Sequence, residues 1–232
     1  MGFRDVRLST HTLYIKFFDP GDVLIVCLYV DDLIFTGNNS KIIAEFGEAM
    51  IRRFEMTDLG LMSYFLGIEA VQQNDGIFIS QKKYASDILK KFKMEHSKPI
   101  STPVEEKLKL TRESDGKRVD STHYKSLIGS LRYLTATRPD KVYGVGLLSR
   151  YMEEQRVSHL QGAKWILHYI KGTLTEGIFY GSNSDVKLVG YIDSDWVLEQ
   201  FHGLQRNNQL SRFLRQRQNI LQQPIVLLKQ YG

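Results

Sequence analysis

Residues 23–36 join an apolar strand to two adjacent acids, and this stretch constrains the fold more than any other. Eight apolar residues, Val23 to Val30, precede Asp31 and Asp32, and apolar residues resume at Leu33. An extended run without polar alternation is typical of a strand covered on both faces of a sheet. Two neighbouring carboxylates at its end repel each other and lose hydration unless a cation or strong hydrogen-bond donors lie beside them. The stretch therefore predicts a buried strand that carries a site.

The two acids have two interpretations. Asp-Asp is an ordinary turn dipeptide, because aspartate accepts left-handed backbone angles and hydrogen-bonds its own backbone. The alternative is a pair of metal ligands. The dipeptide alone leaves both interpretations open.

The segments around the acids predict a two-layer unit. Residues 12–18 and 33–36 are expected to pair with the apolar strand as an antiparallel meander, with a tight turn at Asp19-Pro20-Gly21-Asp22. Ser40 is expected to cap a helix that packs on the meander, because apolar residues keep helical spacing from Ile42 to Phe54.

A hairpin and a lysine-rich helix are predicted next. Strands over 64–71 and 77–81 flank Asn74-Asp75-Gly76, a strong turn signal. A helix over 81–93 places its apolar residues on one stripe and its lysines elsewhere. Those lysines form either a solvated face or contacts to phosphate groups.

The rest of the chain is predicted to be mainly helical. Residues 94–119 are expected to form an extended connector, because they contain two prolines and little apolar periodicity. Helices over 121–136, 140–153 and 157–171 are expected to pack as a helical subdomain. Strands are predicted over 177–181 and 186–193.

Composition adds few constraints on function. The net charge of +5 is concentrated in residues 197–232, which carry +4, so the overall charge is no argument for polynucleotide binding. Cys27 is the one cysteine and is expected to be a buried structural thiol. No apolar run approaches the length of a membrane span, and no targeting signal is found, so a cytoplasmic or nuclear location without membrane contact is expected.

Seven motifs follow one another along the chain: Leu28-Tyr-Val-Asp-Asp-Leu-Ile34, Phe54-Glu-Met-Thr-Asp-Leu-Gly60, Tyr64-Phe-Leu-Gly-Ile-Glu69, Gly76-Ile-Phe-Ile-Ser-Gln-Lys-Lys-Tyr84, Ser101-Thr-Pro103, the segment from Tyr124 to Asp140, and Gly190-Tyr-Ile-Asp-Ser-Asp-Trp196. Their combination and order over residues 2–196 resemble the reverse transcriptase of copia-type LTR retrotransposons.

The resemblance implies an α+β fold: a partial reverse-transcriptase palm of antiparallel strands and a helix, a helical thumb and connection region, and the first strands of a ribonuclease H-like domain. The implied divisions are a partial palm over 1–60, a primer-grip-like hairpin and helix over 61–93, a connector over 94–120, a thumb- and connection-like region over 121–176, the start of ribonuclease H over 177–196, and a disordered tail over 197–232.

The resemblance also implies roles for particular residues. Two Mg²⁺ ions would activate the primer 3′-hydroxyl and stabilise the leaving pyrophosphate, with carboxylates holding the ions. RNA template and DNA primer would be the partners. The implied residues are Asp31 and Asp32 as polymerase metal ligands, Tyr29 and Val30 beside the primer terminus, Lys82, Lys83, Lys90 and Lys91 on nucleic-acid phosphates, and Asp193 as a metal ligand of ribonuclease H.

One departure from the family pattern bears on activity. The family palm has a further essential acid upstream of the hairpin, and none of Asp5, Asp19 and Asp22 fits its pattern. The expectation is therefore a truncated fragment with an incomplete two-metal site and no DNA synthesis of its own. The alternative is a non-catalytic remnant of a decayed element, either a weak nucleic-acid-binding module or an inert product.

The tail suggests a reading-frame shift. Residues 201–208 can be encoded by codons that, read from the third base, spell Ser-Trp-Ser-Ser-Lys-Lys-Gln, a segment familiar from ribonuclease H of these elements. Residues 216–223 allow Glu-Ala-Glu-Tyr-Ile-Ala-Ala in the same frame. The hypothesis that residues from about 197 are frameshifted ribonuclease H requires that the codons of the locus spell both peptides.

Overall fold

The computed structural model describes residues 13–105, 110, 117–182 and 225–230, which form antiparallel strands and helices. In its described part the chain divides into two compact units. The first takes the residues up to Ser63, Val71–Ile77 and those from Tyr180 on, and the second takes Tyr64–Ala70 and Phe78–Phe179. The mixed α and β composition agrees with the predicted fold class.

Nine strands and five α-helices are found in the described residues. In chain order they are β1 (Leu13–Phe18), β2 (Asp22–Tyr29), β3 (Asp32–Gly37), α1 (Ser40–Phe54), β4 (Met56–Leu61), β5 (Tyr64–Phe65), β6 (Ile68–Gln73), β7 (Gly76–Ser80), α2 (Lys82–Lys91), α3 (Ser121–Leu134), α4 (Val142–Ser149), α5 (Val157–Gly172), β8 (Gly177–Gly181) and β9 (Val226–Gln230).

The predicted meander is present. Strand β2 pairs antiparallel with β1 on one side and with β3 on the other. The turn before β2 is closed by Gly21, whose N–H donates to the Phe18 carbonyl at 2.9 Å. Two aspartates therefore stand at the β2–β3 connection, at one end of a three-stranded antiparallel unit.

Helix α1 covers one face of this meander. Ile43 is buried against it, and the rings of Phe35 and Phe46 meet edge to face with their centroids 5.1 Å apart. The predicted cap at Ser40 is wrong by one residue: the Asn39 side chain accepts from the Lys41 N–H at 3.0 Å, and Ser40 is the first helical residue. Asn39 Nδ2 also donates to Asp22 Oδ2 at 2.7 Å.

The second face of the meander differs from its prediction. Leu24 and Val26 on the helix side are buried, but Ile25 and Cys27 on the opposite side are only partly buried. The apolar run thus lies in a sheet that the described residues cover fully on one face. Cys27 is correspondingly half-buried rather than buried, and partial burial raises the pKa of its thiol.

The C-terminal segment contributes a strand that was not predicted. The first sheet has the order β1-β2-β3-β9-β4, and β9 runs antiparallel to both β3 and β4. Leu228 is fully buried and joins the core beneath α1. The expectation of a disordered tail is therefore wrong for residues 226–230, because Val226 and Leu228 pack in the core of this sheet. Residues 197–224 lie outside the described part of the chain.

The second sheet has the order β5-β6-β7-β8. The predicted turn at Asn74-Asp75-Gly76 joins β6 to β7, and Gly76 has a φ of 157°. Gly177 lets β8 approach β7 closely, because a Cβ at this position would overlap the Ile79 carbonyl. The strand predicted over 186–193 lies outside the described residues, so the start of ribonuclease H remains a prediction.

The second unit is built on a helical core. Its helices were predicted within a few residues, except that Pro139–Lys141 form a short 3-10 turn ahead of α4. Helix α2 ends in a Schellman motif: Met94 N–H donates to the Leu89 carbonyl, and Lys93 has a φ of 57°. The core contains fully buried side chains of α3 and α5: Tyr124, Leu127, Ile128, Leu131, Leu134, Ile166, Leu167 and Ile170.

The predicted connector lies on this helical unit where it is described. Trp165 Nε1 donates to the Thr102 carbonyl at 3.0 Å, and Tyr151 donates its hydroxyl to the Leu110 carbonyl at 2.7 Å. Residues 94–105 contain no helix or strand, as predicted, but these contacts attach the connector to the helices.

The place of β9 in the sheet predicts a large cost for truncating Leu228. Leu228→Ala should lower the free energy of unfolding by about 2–4 kcal/mol, because the change leaves a cavity in a core. Leu59→Ala on β4 is the matched control, since Leu59 is 43% exposed and its change should cost less than about 1 kcal/mol. Urea unfolding at 25 °C measures both. Equal, small effects of the two changes would show that β9 is outside the core.

Candidate metal hairpin and nucleic-acid face

The two aspartates occupy different positions in the β2–β3 hairpin. Tyr29 pairs directly with Asp32, so Val30 and Asp31 form a two-residue loop and Asp32 is the first residue of β3. Asp31 is exposed, whereas Asp32 is partly buried. Asp31 is therefore a turn residue and Asp32 a strand residue, and the metal-ligand interpretation of the pair remains a prediction.

Val30 has an unfavourable backbone conformation at the hairpin tip. Its φ is 50°, in the left-handed region that a β-branched residue rarely adopts, and its side chain is 78% exposed. Two-residue hairpins with a positive φ at the first loop position favour glycine there. Because the Val30 side chain is exposed, packing contacts do not explain why valine occupies this position. Strain of this kind is enriched at functional sites, so the tip is a candidate for one.

Asp32 is paired with a lysine from the C-terminal strand. Its Oδ1 lies 3.5 Å from Lys229 Nζ, and the β3–β9 register places the two residues directly opposite each other. The Asp31 main-chain carbonyl accepts from the Gln230 N–H at 2.9 Å. The Asp32 carboxylate therefore has a protein cation beside it, and Asp31 is bound through its main chain.

The two-magnesium centre implied by the sequence does not fit this arrangement. In the residues that the structure describes, no group of three acidic, histidine or cysteine side chains is close enough to hold a metal ion. Asp31 and Asp32 are two carboxylates, and the second is engaged by Lys229. Asp193, predicted as a metal ligand of a second centre, lies outside the described residues.

The four predicted phosphate-binding lysines lie together on one side of α2. At about 100° per residue, Lys83 and Lys90 share a stripe opposite the buried Ala85, Ile88 and Leu89. Lys82 and Lys91 flank that stripe, and all four side chains are exposed. Lys91 Nζ also donates to Ser126 Oγ at 2.8 Å. The group, called the α2 lysine face below, can reach anionic ligands.

The start of α2 carries contacts that sequence reasoning missed. Glu69 Oε1 accepts from the Lys83 N–H at 2.6 Å, so a side chain of β6 caps the helix. Lys83 Nζ lies 5.4 Å from the centroid of the exposed Tyr64 ring. Tyr133 donates its hydroxyl to the Leu66 carbonyl in the β5–β6 turn. The single strand predicted over 64–71 is wrong: a turn at Leu66 and Gly67, both with positive φ, divides it into β5 and β6, and the missed turn hid these contacts.

Arg138 and Lys141 are buried cations that both bind the partly exposed carboxylate of Asp140. Arg138 is 3% exposed and binds both carboxylate oxygens of Asp140, at 3.1 and 2.9 Å, and the Thr173 carbonyl at 2.6 Å. Lys141 Nζ, fully buried, donates to Asp140 at 3.2 Å. Burial raises the pKa of Asp140, but Arg138 and Lys141 outweigh it and lower that pKa to about 2. Burial and then Arg138 lower the pKa of Lys141 to about 8.

No helix in the described part of the chain combines the length and hydropathy that crossing a membrane requires.

The sequence of this chain is similar to one protein family and to several known proteins. A family model described as reverse transcriptase (RNA-dependent DNA polymerase) matches residues 2–106. The chain is 38% identical over 175 residues to the retrovirus-related Pol polyprotein from transposon RE1 of Arabidopsis thaliana. These residues are 75% of this chain and 12% of that polyprotein. It is 35% identical over 196 residues to the retrovirus-related Pol polyprotein from transposon TNT 1-94 of Nicotiana tabacum, which covers 81% of the chain and 15% of that polyprotein.

A shorter relative matches over most of its length. An uncharacterized mitochondrial protein of Arabidopsis thaliana is 38% identical over 170 residues, which are 73% of this chain and 70% of that protein. No solved structure matches the chain.

The strain at Val30 predicts that a residue tolerant of positive φ stabilises the hairpin. Val30→Asn should raise the free energy of unfolding by about 0.5–1 kcal/mol, because asparagine adopts the left-handed region at lower cost. Val71→Asn, at an exposed position of β6, is the control and should not stabilise the protein. Chemical denaturation compares the two; equal effects would mean that the tip is unstrained.

The buried Lys141 predicts a rise of stability at alkaline pH. Its folded pKa of about 8 lies below the ordinary lysine value of 10.5, so the unfolded chain binds more protons between these values and stability increases with pH across that window. The free energy of unfolding should rise by about 1–2 kcal/mol from pH 7 to pH 9.5. Lys141→Met should remove this rise, and urea unfolding at both pH values measures it. An unchanged rise in the variant would assign it to other groups.

Proposed function

The chain belongs to the reverse transcriptase (RNA-dependent DNA polymerase) family of copia-type retrotransposon Pol polyproteins, and we propose that it binds template–primer duplex without synthesising DNA by itself. The family resemblance inferred from its motifs is thereby confirmed. Because the chain spans only 12–15% of the length of the two Pol polyproteins, their activities are carried over here as proposals.

The pairing of Asp32 with Lys229 is the observation that carries this proposal. Nucleotidyl transfer by two metal ions requires carboxylates that hold both ions in line with the reacting oxygens. Asp31 and Asp32 are the hairpin's two carboxylates. The Lys229 ammonium group, 3.5 Å from Asp32, competes with a metal ion for the Asp32 carboxylate. The absence of a third donor nearby among the described residues points the same way. This arrangement supports a hairpin that does not assemble the catalytic centre.

The α2 lysine face supports the binding part of the proposal. Lys83 and Lys90 are exposed on one stripe, so both can contact phosphates of a single backbone, and each neutralised phosphate releases condensed counterions. Asp87 on the same exposed side reduces the local charge, which favours weak rather than tight binding. RNA template and DNA primer are the proposed ligands. A ribonuclease H role for Asp193 rests on the Gly190–Trp196 motif alone.

Primer extension tests the lack of DNA synthesis. The purified chain, incubated with a DNA primer on an RNA template, deoxynucleotides and Mg²⁺, should give no extension above a protein-free control. Mn²⁺ in place of Mg²⁺ should give the same result. Extension that disappears in Asp31→Asn would overturn the proposal, because it would show a working metal site at the hairpin.

Salt-dependent duplex binding tests the lysine face. The double change Lys83→Gln and Lys90→Gln should weaken binding of an RNA–DNA duplex and reduce the slope of log affinity against log salt by about 2. The matched control removes two exposed charges elsewhere, through Lys41→Gln and Arg53→Gln on α1, and should leave affinity and slope unchanged. Equal losses in both variants would indicate binding by overall charge. No binding by the parent chain would favour an inert remnant.

A further inference from the structure

Strand β9 is supplied to its sheet from far along the chain. It lies between β3 and β4, which α1 connects directly, although β9 begins about 165 residues after β4 ends. Loop-closure entropy grows slowly with length, so such an insertion is affordable once the strand makes enough contacts. The position of β9 between β3 and β4 therefore depends on its side-chain and backbone contacts.

The N-terminal end of β9 is held by one side chain. Gln72 Nε2 donates to the carbonyls of Met62 and Ile225, at 3.0 and 3.1 Å, and its Oε1 accepts from the Ile225 N–H at 3.0 Å. Met62 N–H also donates to the Ile225 carbonyl at 2.8 Å. This amide bonds to main-chain groups, so it fixes the position of β9 whatever the side chain at 225.

The C-terminal end of β9 is held by an ion pair and a backbone hydrogen bond. Leu228 is buried on the α1 side of the sheet, and because side chains alternate along a strand, Lys229 projects from the opposite face. The register with β3 brings Lys229 across from Asp32. The Gln230 N–H bond to the Asp31 carbonyl fixes the register at this end.

We propose that β9 is an inhibitory strand: inserted between β3 and β4, it uses Lys229 as the counter-cation of Asp32 and thereby excludes divalent cations from the aspartate hairpin. The inference rests on the proposed function in taking Asp31 and Asp32 as the family's cation-binding carboxylates. It goes beyond that function by assigning an inhibitory role to strand β9, which supplies Lys229 to the hairpin.

The exposure of the ion pair determines where its effect is visible. The Asp32 and Lys229 side chains are 22% and 39% exposed, so the pair contributes little to folding stability. A doubly charged cation beside the same carboxylate would be repelled by the ammonium group at short range, where salt screens little. Lys229 therefore affects cation affinity more than it affects folding.

Manganese binding to the full chain tests the inference, with Mn²⁺ alone as the probe. Paramagnetic broadening of the Asp31 and Asp32 amide signals reports binding at the hairpin. Lys229→Met, which keeps the aliphatic stem, should bind Mn²⁺ there about 10-fold more tightly than the parent chain. Lys229→Arg retains the charge and should bind as the parent does.

Two further variants locate the effect. Lys41→Met removes an exposed lysine that pairs with Glu45 on α1, and it should leave hairpin affinity unchanged. Asp32→Asn combined with Lys229→Met should abolish the gain. Equal affinities of the parent and Lys229→Met would overturn the inference. So would tight Mn²⁺ binding by the parent. Primer extension and duplex binding by the α2 lysine face are measured separately, so failure here is distinguishable from failure of the proposed function.

Discussion

The antiparallel pairing of β9 with β3 and β4 is the interaction on which the first unit depends. Without a strand in that slot, β3 and β4 would each present an unpaired row of backbone N–H and carbonyl groups beside an apolar core. Leu228 fills part of that core and is fully buried. The filling is incomplete, because a groove of about 330 Å³ remains beside α1, lined by Phe35, Ile43 and Val226 among others. The backbone pairing of β9, the hydrogen bonds of Gln72 and the apolar contacts therefore act together to hold this strand in place.

The same strand couples the integrity of the sheet to the charge of the site. Register leaves Lys229 no other cross-strand neighbour on β3 than Asp32, so satisfying the backbone of β3 also neutralises a carboxylate. Sequence motifs place this chain in the reverse transcriptase family, and its hairpin has a residue with positive φ, Val30, at its tip. Membership in the family and the chemistry of this hairpin are thus separate matters. The first follows from ordered motifs, and the second from a residue outside them.

Local patterns predicted most elements, and nonlocal pairing explains what they missed. The β1–β3 meander, α1, α2 and the turn at Asn74–Gly76 follow from periodicity and turn chemistry within short windows. Strand β9 is five residues long and amid polar sequence, and its partners lie more than 160 residues away, so no window contains the reason for it. The apolar run at Ile225–Leu228 was the available signal. The positive φ of Val30 and the burial of Lys141 likewise depend on tertiary context, since neither residue type favours its position.

Hydrogen–deuterium exchange of residues 226–230 tests the central claim most directly. If β9 lies between β3 and β4, its hydrogen-bonded amides should exchange as slowly as those of β2, which is flanked by strands on both sides. Protection in β9 and β2 should also be lost together as denaturant is added. Exchange of residues 226–230 at the rate of an unstructured peptide, with β2 still protected, would contradict the account.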